Sequence, residues 1–340
     1  MTPMAELGLT PEDRDLVEGV VAGRRRALAK AITLVESTRA DHQQRAAGVL
    51  DALLPHTGRS LRIGLTGVPG VGKSTFVEAF GLHLIAQGLK VAVLAVDPSS
   101  SVTGGSILGD KTRMERLCQQ TAAFIRPSPS SGTLGGVAEK TREALLICEA
   151  AGFDVTIVET VGVGQSETMV AGMTDVFVLL QLPNAGDDLQ AIKKGIMELA
   201  DVVVFNKADL DATATERACL QMRAALALLH PASPHWKPPV LRSSALRGEG
   251  IAAVWETLQA WRQAMEGSGE FQEKRRCQSV DWMWRLIDTG LRQRFREHPG
   301  VRTQLPVLSA AVAAGASSPV AAARRLLGQL AAGYENPDYD

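Results

Sequence analysis

The stretch GVPGVGKST, Gly67 to Thr75, restricts what this chain can fold into more than any other part of it. It matches G-x-x-x-x-G-K-[ST] through Gly67, Gly72, Lys73 and Ser74. The apolar run RIGLT precedes it and the helical pattern TFVEAFGLHLIAQG follows, so the loop must join a strand to a helix. Glycines here let backbone N–H groups turn inward around phosphate oxygens. The helix start adds the positive end of its dipole, Lys73 a point charge, and Ser74 Oγ a ligand for Mg2+. Gly67, Pro69, Gly70, Val71, Gly72, Lys73, Ser74 and Thr75 are therefore the candidate phosphate-binding residues.

A unit of this kind belongs to a larger sheet, and the rest of the sequence supplies it. Between Leu61 and about Met265, helical stretches alternate with the runs RIGLT, KVAVLAV, FIRP, VTIVE, DVFVLLQL, DVVVFN and PVLRSS. Most are short, β-branched and apolar on both faces, as strands of a covered parallel sheet should be. The expected fold is α/β: a doubly wound, mostly parallel P-loop NTPase sheet with helical additions at both ends. Residues 1–58 read as an N-terminal helical extension. Leu16, Val20, Leu28 and Val35 fall roughly on one face, a helix start is expected at Thr10-Pro11, and a short helix around Ala46–Leu54 should end at Pro55. Residues 59–266 form the P-loop domain, and 267–340 a C-terminal helical arm that begins at a Gly-Ser-Gly hinge. In that arm Val280, Met283, Trp284, Ile287, Leu291 and Phe295 recur at helical spacing, a stripe for core packing or a dimer interface. Two further helices are expected, with breaks at Pro306 and Ser318-Pro319.

Composition narrows the function classes. A net charge of -1 offers no general field for nucleic acid or an anionic membrane, so any anion needs a local site. Cys118, Cys148, Cys219 and Cys277 form no C-x-x-C and read as reduced thiols. There is no H-E-x-x-H motif or Cys/His cluster for a transition metal. The N-terminal residues lack the apolar core of a signal peptide, and a cytoplasmic location is expected.

The motif NKAD, Asn206 to Asp209, ends the run DVVVF downstream of the P-loop. The Asp209 carboxylate can accept both N1–H and N2–H2 of guanine, a donor pair adenine lacks, so GTP and GDP are favoured over adenine nucleotides. Lys207 lies within the motif, and Ser243, Ser244 and Ala245, after the next strand, suit a loop that meets the guanine from its other side. Mg2+ needs hard oxygen ligands. Asp97, Asp110 and Glu159 are the candidates beside Ser74; Asp97 and Glu159 fall at carboxyl ends of expected strands, where doubly wound folds bind ligands. The stretch VTIVETVGVGQSE carries Glu159 where many P-loop GTPases have Asp, Gly162 in place, and Gln165 two positions late. No Gln directly follows Gly162 to orient a water, which leaves Asp97 or Gln165 for that task and implies slow unaided hydrolysis.

With these residues in view, the sequence resembles the MeaB/MMAA/ArgK-type branch of the metallochaperone P-loop GTPases. The resemblance covers nearly the whole chain and rests on AVLAVDPSSSVTGGSILGDKTRM, FIRPSPSSGTLGGVAEKTRE, ETVGVGQSET and GDDLQAIKKGIMELADVVVFNKAD. It implies a homodimeric GTPase that gates adenosylcobalamin loading and protects or reactivates an adenosylcobalamin-dependent acyl-CoA mutase. Methylmalonyl-CoA mutase, or a related isobutyryl-CoA or 2-hydroxyisobutyryl-CoA mutase, would be the client. It further implies that Lys73 and Ser74 hold phosphates and Mg2+, that Asp97, Asp110 and Glu159 surround the metal, with Lys73, Asp97 and Glu159 the catalytic set, and that Asn206 and Asp209 read guanine. Gly162, Gln165, Asp187, Asp188, Gln190 and Lys193 would couple nucleotide state to the client; the bland reading of Leu182–Lys193 is a loop and a solvated helix start. The family pattern often has Gly-Asp-Glu where this chain has Gly-Asp-Asp, a change that keeps the charge. No D-x-H-x-x-G motif occurs, so direct cobalamin binding is not expected. The competing readings are a transport-associated kinase or ATPase for lysine, arginine or ornithine uptake, which NKAD disfavours, and a nickel-inserting GTPase, disfavoured by the missing Cys/His cluster.

Overall fold

The computed structural model describes residues 8–96, 114–127, 134–160, 166–183, 194–229 and 232–331. The strands are β1 (Leu61–Gly67), β2 (Val91–Val96), β3 (Ala123–Arg126), β4 (Val155–Thr160), β5 (Val176–Gln181), β6 (Val202–Phe205) and β7 (Val240–Arg242). Around them run α1 (Pro11–Val21), α2 (Arg25–Glu36), α3 (Ala40–Leu53), α4 (Lys73–Ala86), α5 (Glu115–Cys118), α6 (Leu134–Ala150) and α7 (Ser166–Ala171). They continue with α8 (Lys194–Leu199), α9 (Ala212–Ala227), α10 (Ile251–Ser268), α11 (Glu270–Glu297), α12 (Pro299–Ala313) and α13 (Pro319–Ala331).

Each of the seven apolar runs is a strand, and the strands lie in one sheet of order β3-β2-β4-β1-β5-β6-β7. Every pairing is parallel. The chain winds to one side of β1 through β2, β3 and β4, then to the other through β5, β6 and β7. The order reverses beside β1, so the crevice outside its carboxyl end is where a ligand fits. Both faces are covered, which is why the strands are largely apolar on both sides. On one face Leu61, Ile63 and Leu65 of β1 pack with Phe76, Phe80 and Leu84 of α4 and with Trp255, Leu258 and Trp261 of α10. On the other, Ala92 and Leu94 of β2 meet α6 and the N-terminal helices through Leu28, Ile32, Val35 and Val49.

The N-terminal pattern resolves into three helices. Thr10 caps α1 by accepting from the Asp13 N–H at 3.2 Å, with Pro11 at the first position. Gly23, at φ 67°, turns the chain between α1 and α2, so the residues that read as one face belong to two helices. The third helix begins at Ala40, earlier than its apolar residues suggested, and passes through Leu53 into a 3-10 turn, Leu54–His56. Two ion pairs pin these elements. Arg45 donates to Asp13 at 2.8 Å across α3 and α1. Arg62 of β1 and Glu149 of α6 form a buried bidentate pair at 2.7 and 3.0 Å, and Glu149 also accepts the Gly58 N–H at 2.9 Å.

The chain forms two compact units, Met1–Gln272 and Glu273–Asp340. In the first, α10 ends at Gly269 in the left-handed region (φ 81°), inside the expected Gly-Ser-Gly element. In the second, α12 and α13 pack through Val301, Leu308, Ala322 and Leu326, with Phe295 against them. The expected break at Pro306 does not occur: Pro306 lies inside α12. The chain breaks earlier, at His298, where Pro299 occupies the first helical turn and has no N–H to lose. The break at Ser318-Pro319 does occur, with the Ser318 hydroxyl accepting the Ala321 N–H at 3.1 Å. Phe295 packs within this unit, while Val280, Met283, Trp284, Ile287 and Leu291 of α11 are exposed. No described helix is long and apolar enough to cross a membrane.

Candidate functional site

The site grows from the carboxyl end of β1. Gly67 closes the strand where a Cβ would lie 2.5 Å from the Leu180 carbonyl oxygen of β5, so no side chain fits. Gly72 has φ 88°, and a Cβ there would press within 3.0 Å of Asn206 Nδ2. These constraints bring the loop against its neighbours and start α4 at Lys73. Val71 is fully buried and anchors the loop from within. The Lys73 ammonium donates to the Gly67 carbonyl at 2.7 Å and to that of Val68 at 3.3 Å. Burial pushes the Lys73 ammonium below its ordinary value, and the charges of Glu159 and Glu167 oppose that push. Ser74 Oγ, one residue on, donates to Glu159 Oε1 at 3.4 Å.

A second set of contacts joins this loop to the ends of β6 and β7. Asn206 Nδ2 donates to the Val71 carbonyl at 2.9 Å. Its Oδ1 accepts from the Ala245 N–H at 3.1 Å and from Ser243 Oγ at 3.3 Å. Asn206 thereby bridges both loops with its whole amide. Lys207 has φ 58°, the only positive φ outside glycine among the described residues, and donates through Nζ to the Gly70 carbonyl at 2.8 Å. Together they shape a cleft of about 290 Å³ that includes Gly72, Thr75, Asp209 and Ser244.

Asp209 is the acceptor this cleft offers. Its carboxyl is held below the usual range by a hydrogen bond from the Ser244 hydroxyl, against the opposing effect of burial, with Arg247 adding to the lowering. Two apolar side chains stand at the rim, Leu210 at 75% exposure and Leu246 at 85%. Exposed leucines flanking a polar acceptor suit a flat ring that is apolar on its faces and polar at its edge.

The structure thus gathers Gly67, Pro69, Gly70, Val71, Gly72, Lys73, Ser74, Thr75 and Glu159 at the end of β1. It joins them to Asn206, Lys207, Asp209, Ser243, Ser244 and Ala245. Asp97, Asp110, Gly162, Gln165, Asp187, Asp188, Gln190 and Lys193 lie outside the described residues. Among the described residues no group of three or more His, Cys, Asp or Glu could hold a metal ion. Three contributors escaped the sequence reading. Glu167, in the first turn of α7, is buried and acts electrostatically on Lys73. Leu210 sits one residue past Asp209 and Arg247 two past Ala245, where no pattern of residue types marks them.

Four similarities to known proteins bear on this arrangement. The sequence model of a family described as "Methylmalonyl Co-A mutase-associated GTPase MeaB" matches residues 28–300. A protein of Caulobacter vibrioides named as a GTPase is 56% identical over 308 residues, covering 91% of this chain and 94% of the relative. The mouse "Methylmalonic aciduria type A homolog, mitochondrial" is 47% identical over 335 residues, covering 94% of this chain and 81% of that protein. The crystal structure of a protein titled LAO/AO transport system kinase superposes with a TM-score of 0.75 at 40% identity, covering 94% of this chain and 97% of that one.

Proposed function

The chain belongs to the MeaB family of methylmalonyl Co-A mutase-associated GTPases and is itself a GTPase, and from that premise we propose that it is a nucleotide-switched chaperone of an adenosylcobalamin-dependent acyl-CoA mutase. The family match supports the mutase association, and the nucleotide half of the reading rests on the bridge of Asn206 and Lys207, which fastens the phosphate loop to the loop bearing Ser243–Ala245. Phosphates and base are thereby recognised by one rigid body.

In this reading the guanine edge gives N1–H and N2–H2 to Asp209, and Leu210 and Leu246 flank its faces. The backbone N–H groups from Gly67 to Thr75, Pro69 excepted, surround the phosphates, and Lys73 turns from the Gly67 and Val68 carbonyls to a phosphate oxygen. Ser74 Oγ and the Glu159 carboxylate are hard oxygen donors 3.4 Å apart, a pair that fits Mg2+ rather than a soft metal. Bound there, the ion would spread the negative charge that builds on the phosphate oxygens. Asp97 and Asp110 complete the carboxylate set, and Lys73, Asp97 and Glu159 form the catalytic group. Water positioning falls to Asp97 or Gln165 and stays incomplete until a partner orders the site, so hydrolysis by the chain alone is slow.

Glu159 and Glu167 flank Gly162 and Gln165 in sequence, which gives the metal site a covalent path to that segment. Asp187, Asp188, Gln190 and Lys193 complete the set that reports nucleotide state to the client. The chaperone acts in the cytoplasm as a homodimer, without holding cobalamin itself and without nucleic acid or membrane. The exposed apolar stripe of α11 supports the homodimer. Methylmalonyl-CoA mutase is the first client to test, with isobutyryl-CoA and 2-hydroxyisobutyryl-CoA mutases as the related choices.

The test is affinity capture on the full chain loaded with GDP or with a non-hydrolysable GTP analogue. A mutase retained differently in the two states is the expected result. Equal retention of every purified mutase of these classes, or none, would remove the chaperone reading and leave the GTPase.

A further inference from the structure

Asp209 has a neighbour that the guanine reading does not use. Arg247 Nε stands 3.5 Å from Asp209 Oδ2, and the two side chains differ sharply in exposure, 59% for the arginine and 8% for the aspartate. The carboxylate is sunk in the cleft while the guanidinium closes over it from the solvent side. The backbone holds this arrangement. Arg247 N–H donates to Ser244 Oγ at 3.3 Å, the same hydroxyl that hydrogen-bonds Asp209. Ser244 and Glu249 exchange backbone hydrogen bonds at 2.9 and 3.1 Å and close the turn between them. Gly250 seals its base, where a Cβ would meet the Arg242 carbonyl oxygen at 2.2 Å. Arg247 is therefore carried on a fixed turn.

A purine that gives N1–H and its 2-substituent to Asp209 spans both carboxylate oxygens. Its 6-oxygen falls at the opposite end of that edge. Where the 2-substituent meets Oδ2, the oxygen that Arg247 flanks, the cation stands beside the 2-position. Guanine carries an amino group there, a donor that gains nothing from a second donor. Xanthine carries a carbonyl oxygen, which Asp209 alone would repel and to which a guanidinium would donate. The xanthine ring also loses a proton near neutral pH, and the resulting anion is favoured by the same cation.

We propose that Arg247 is a specificity-determining residue of the purine subsite, and that through it the chain takes xanthosine nucleotides as a second class of ligand. The proposal rests on the guanine reading of Asp209. It predicts that discrimination against xanthosine is weaker than a lone carboxylate would impose, because one charge-assisted hydrogen bond replaces a repulsion.

The experiment is competition of GDP, IDP and XDP against a fluorescent GDP analogue, on the full chain and on Arg247→Ala, Arg247→Lys and Asp209→Asn. IDP lacks any 2-substituent and reports the pairing of Asp209 with the amino group. In Arg247→Ala the affinity for XDP relative to GDP should fall about tenfold, the weight of one charged hydrogen bond. The ratio of GDP to IDP should hold, and Arg247→Lys should recover part of the loss. An XDP to GDP ratio unchanged in Arg247→Ala overturns the proposal, as does a GDP to IDP ratio that moves with it, since that would mean general damage to the cleft. Asp209→Asn separates the two readings. If GDP binding falls there while Arg247→Ala leaves the XDP ratio alone, only the arginine's role is lost. If GDP binding ignores Asp209→Asn, the guanine reading fails and takes the arginine's role with it.

Discussion

Glu159 and Glu167 approach Lys73 from the two sides of one short stretch of chain, and each of the three is less than a tenth exposed. Burial lowers the pKa of the lysine, and the charges of the two carboxylates oppose that lowering. Their surplus negative charge also explains why a divalent cation suits the site once phosphates arrive. Glu159 touches Ser74, so it is the residue whose charge should matter most to the cation. Glu159→Gln is expected to cut the Mg2+-dependent gain in GTP affinity by about tenfold, the weight of one charged interaction, while affinity in chelator stays near that of the parent chain. Titration calorimetry with and without Mg2+ measures both. An undiminished Mg2+ effect would take Glu159 out of the metal site.

At the scale of elements, the sheet is held to its helices by polar pins as well as apolar packing. Glu149 of α6 is fully buried and accepts from Arg62 and from the Gly58 N–H. Removing one member of such a pair strands the other in the interior, and Glu149→Ala should cost about 3–5 kcal/mol in denaturant unfolding. The double change Arg62→Met with Glu149→Leu should cost much less, because it leaves no lone charge behind; an equal loss would point to packing instead. The pin between α1 and α3 responds to acid. Burial would raise the Asp13 carboxyl, but hydrogen bonds from Arg45 and Thr10 prevail and hold it below 3.8. A depressed carboxyl contributes stability that is complete above its unfolded value, near 3.8, and lost as pH falls through the folded value. Hydrogen exchange should therefore show α1 protected until pH drops below 3.8, then opening ahead of the sheet. Asp13→Asn should abolish that pH dependence.

For the whole molecule, the two units have different characters. The first buries an extended core on both faces of its sheet. The second has a small core of its own and carries Met283, Trp284, Ile287 and Leu291 in the open. Stripes of this kind are rare on monomeric surfaces, in keeping with the proposed homodimer. Trp284→Asp combined with Leu291→Asp should convert a dimer to a monomer in sedimentation, with the GTPase rate of the isolated chain retained. A parent chain that sediments as a monomer at every concentration would refute the dimer.

Much of this was written in the one-dimensional pattern. The seven strands, the phosphate loop and the NKAD motif depend on chemistry carried by consecutive residues, so their residue types alone disclose them. A proline disfavours a helix interior by about 3 kcal/mol, yet Pro306 stands inside α12, where Val301 and Leu308 of the same helix pack with Ala322 and Leu326 of α13. Strand order, the Arg62–Glu149 pair across 87 residues and the Asn206–Val71 bridge across 135 were decided by the tertiary structure. So was Arg247 over Asp209, because nothing in a local sequence pattern states which side chains folding will bring into one cleft. The sequence by itself determined that this chain binds a nucleotide on a parallel sheet. The fold decided how phosphate loop and base loop become one site, since hydrogen bonds and burial depend on distance in space rather than along the chain.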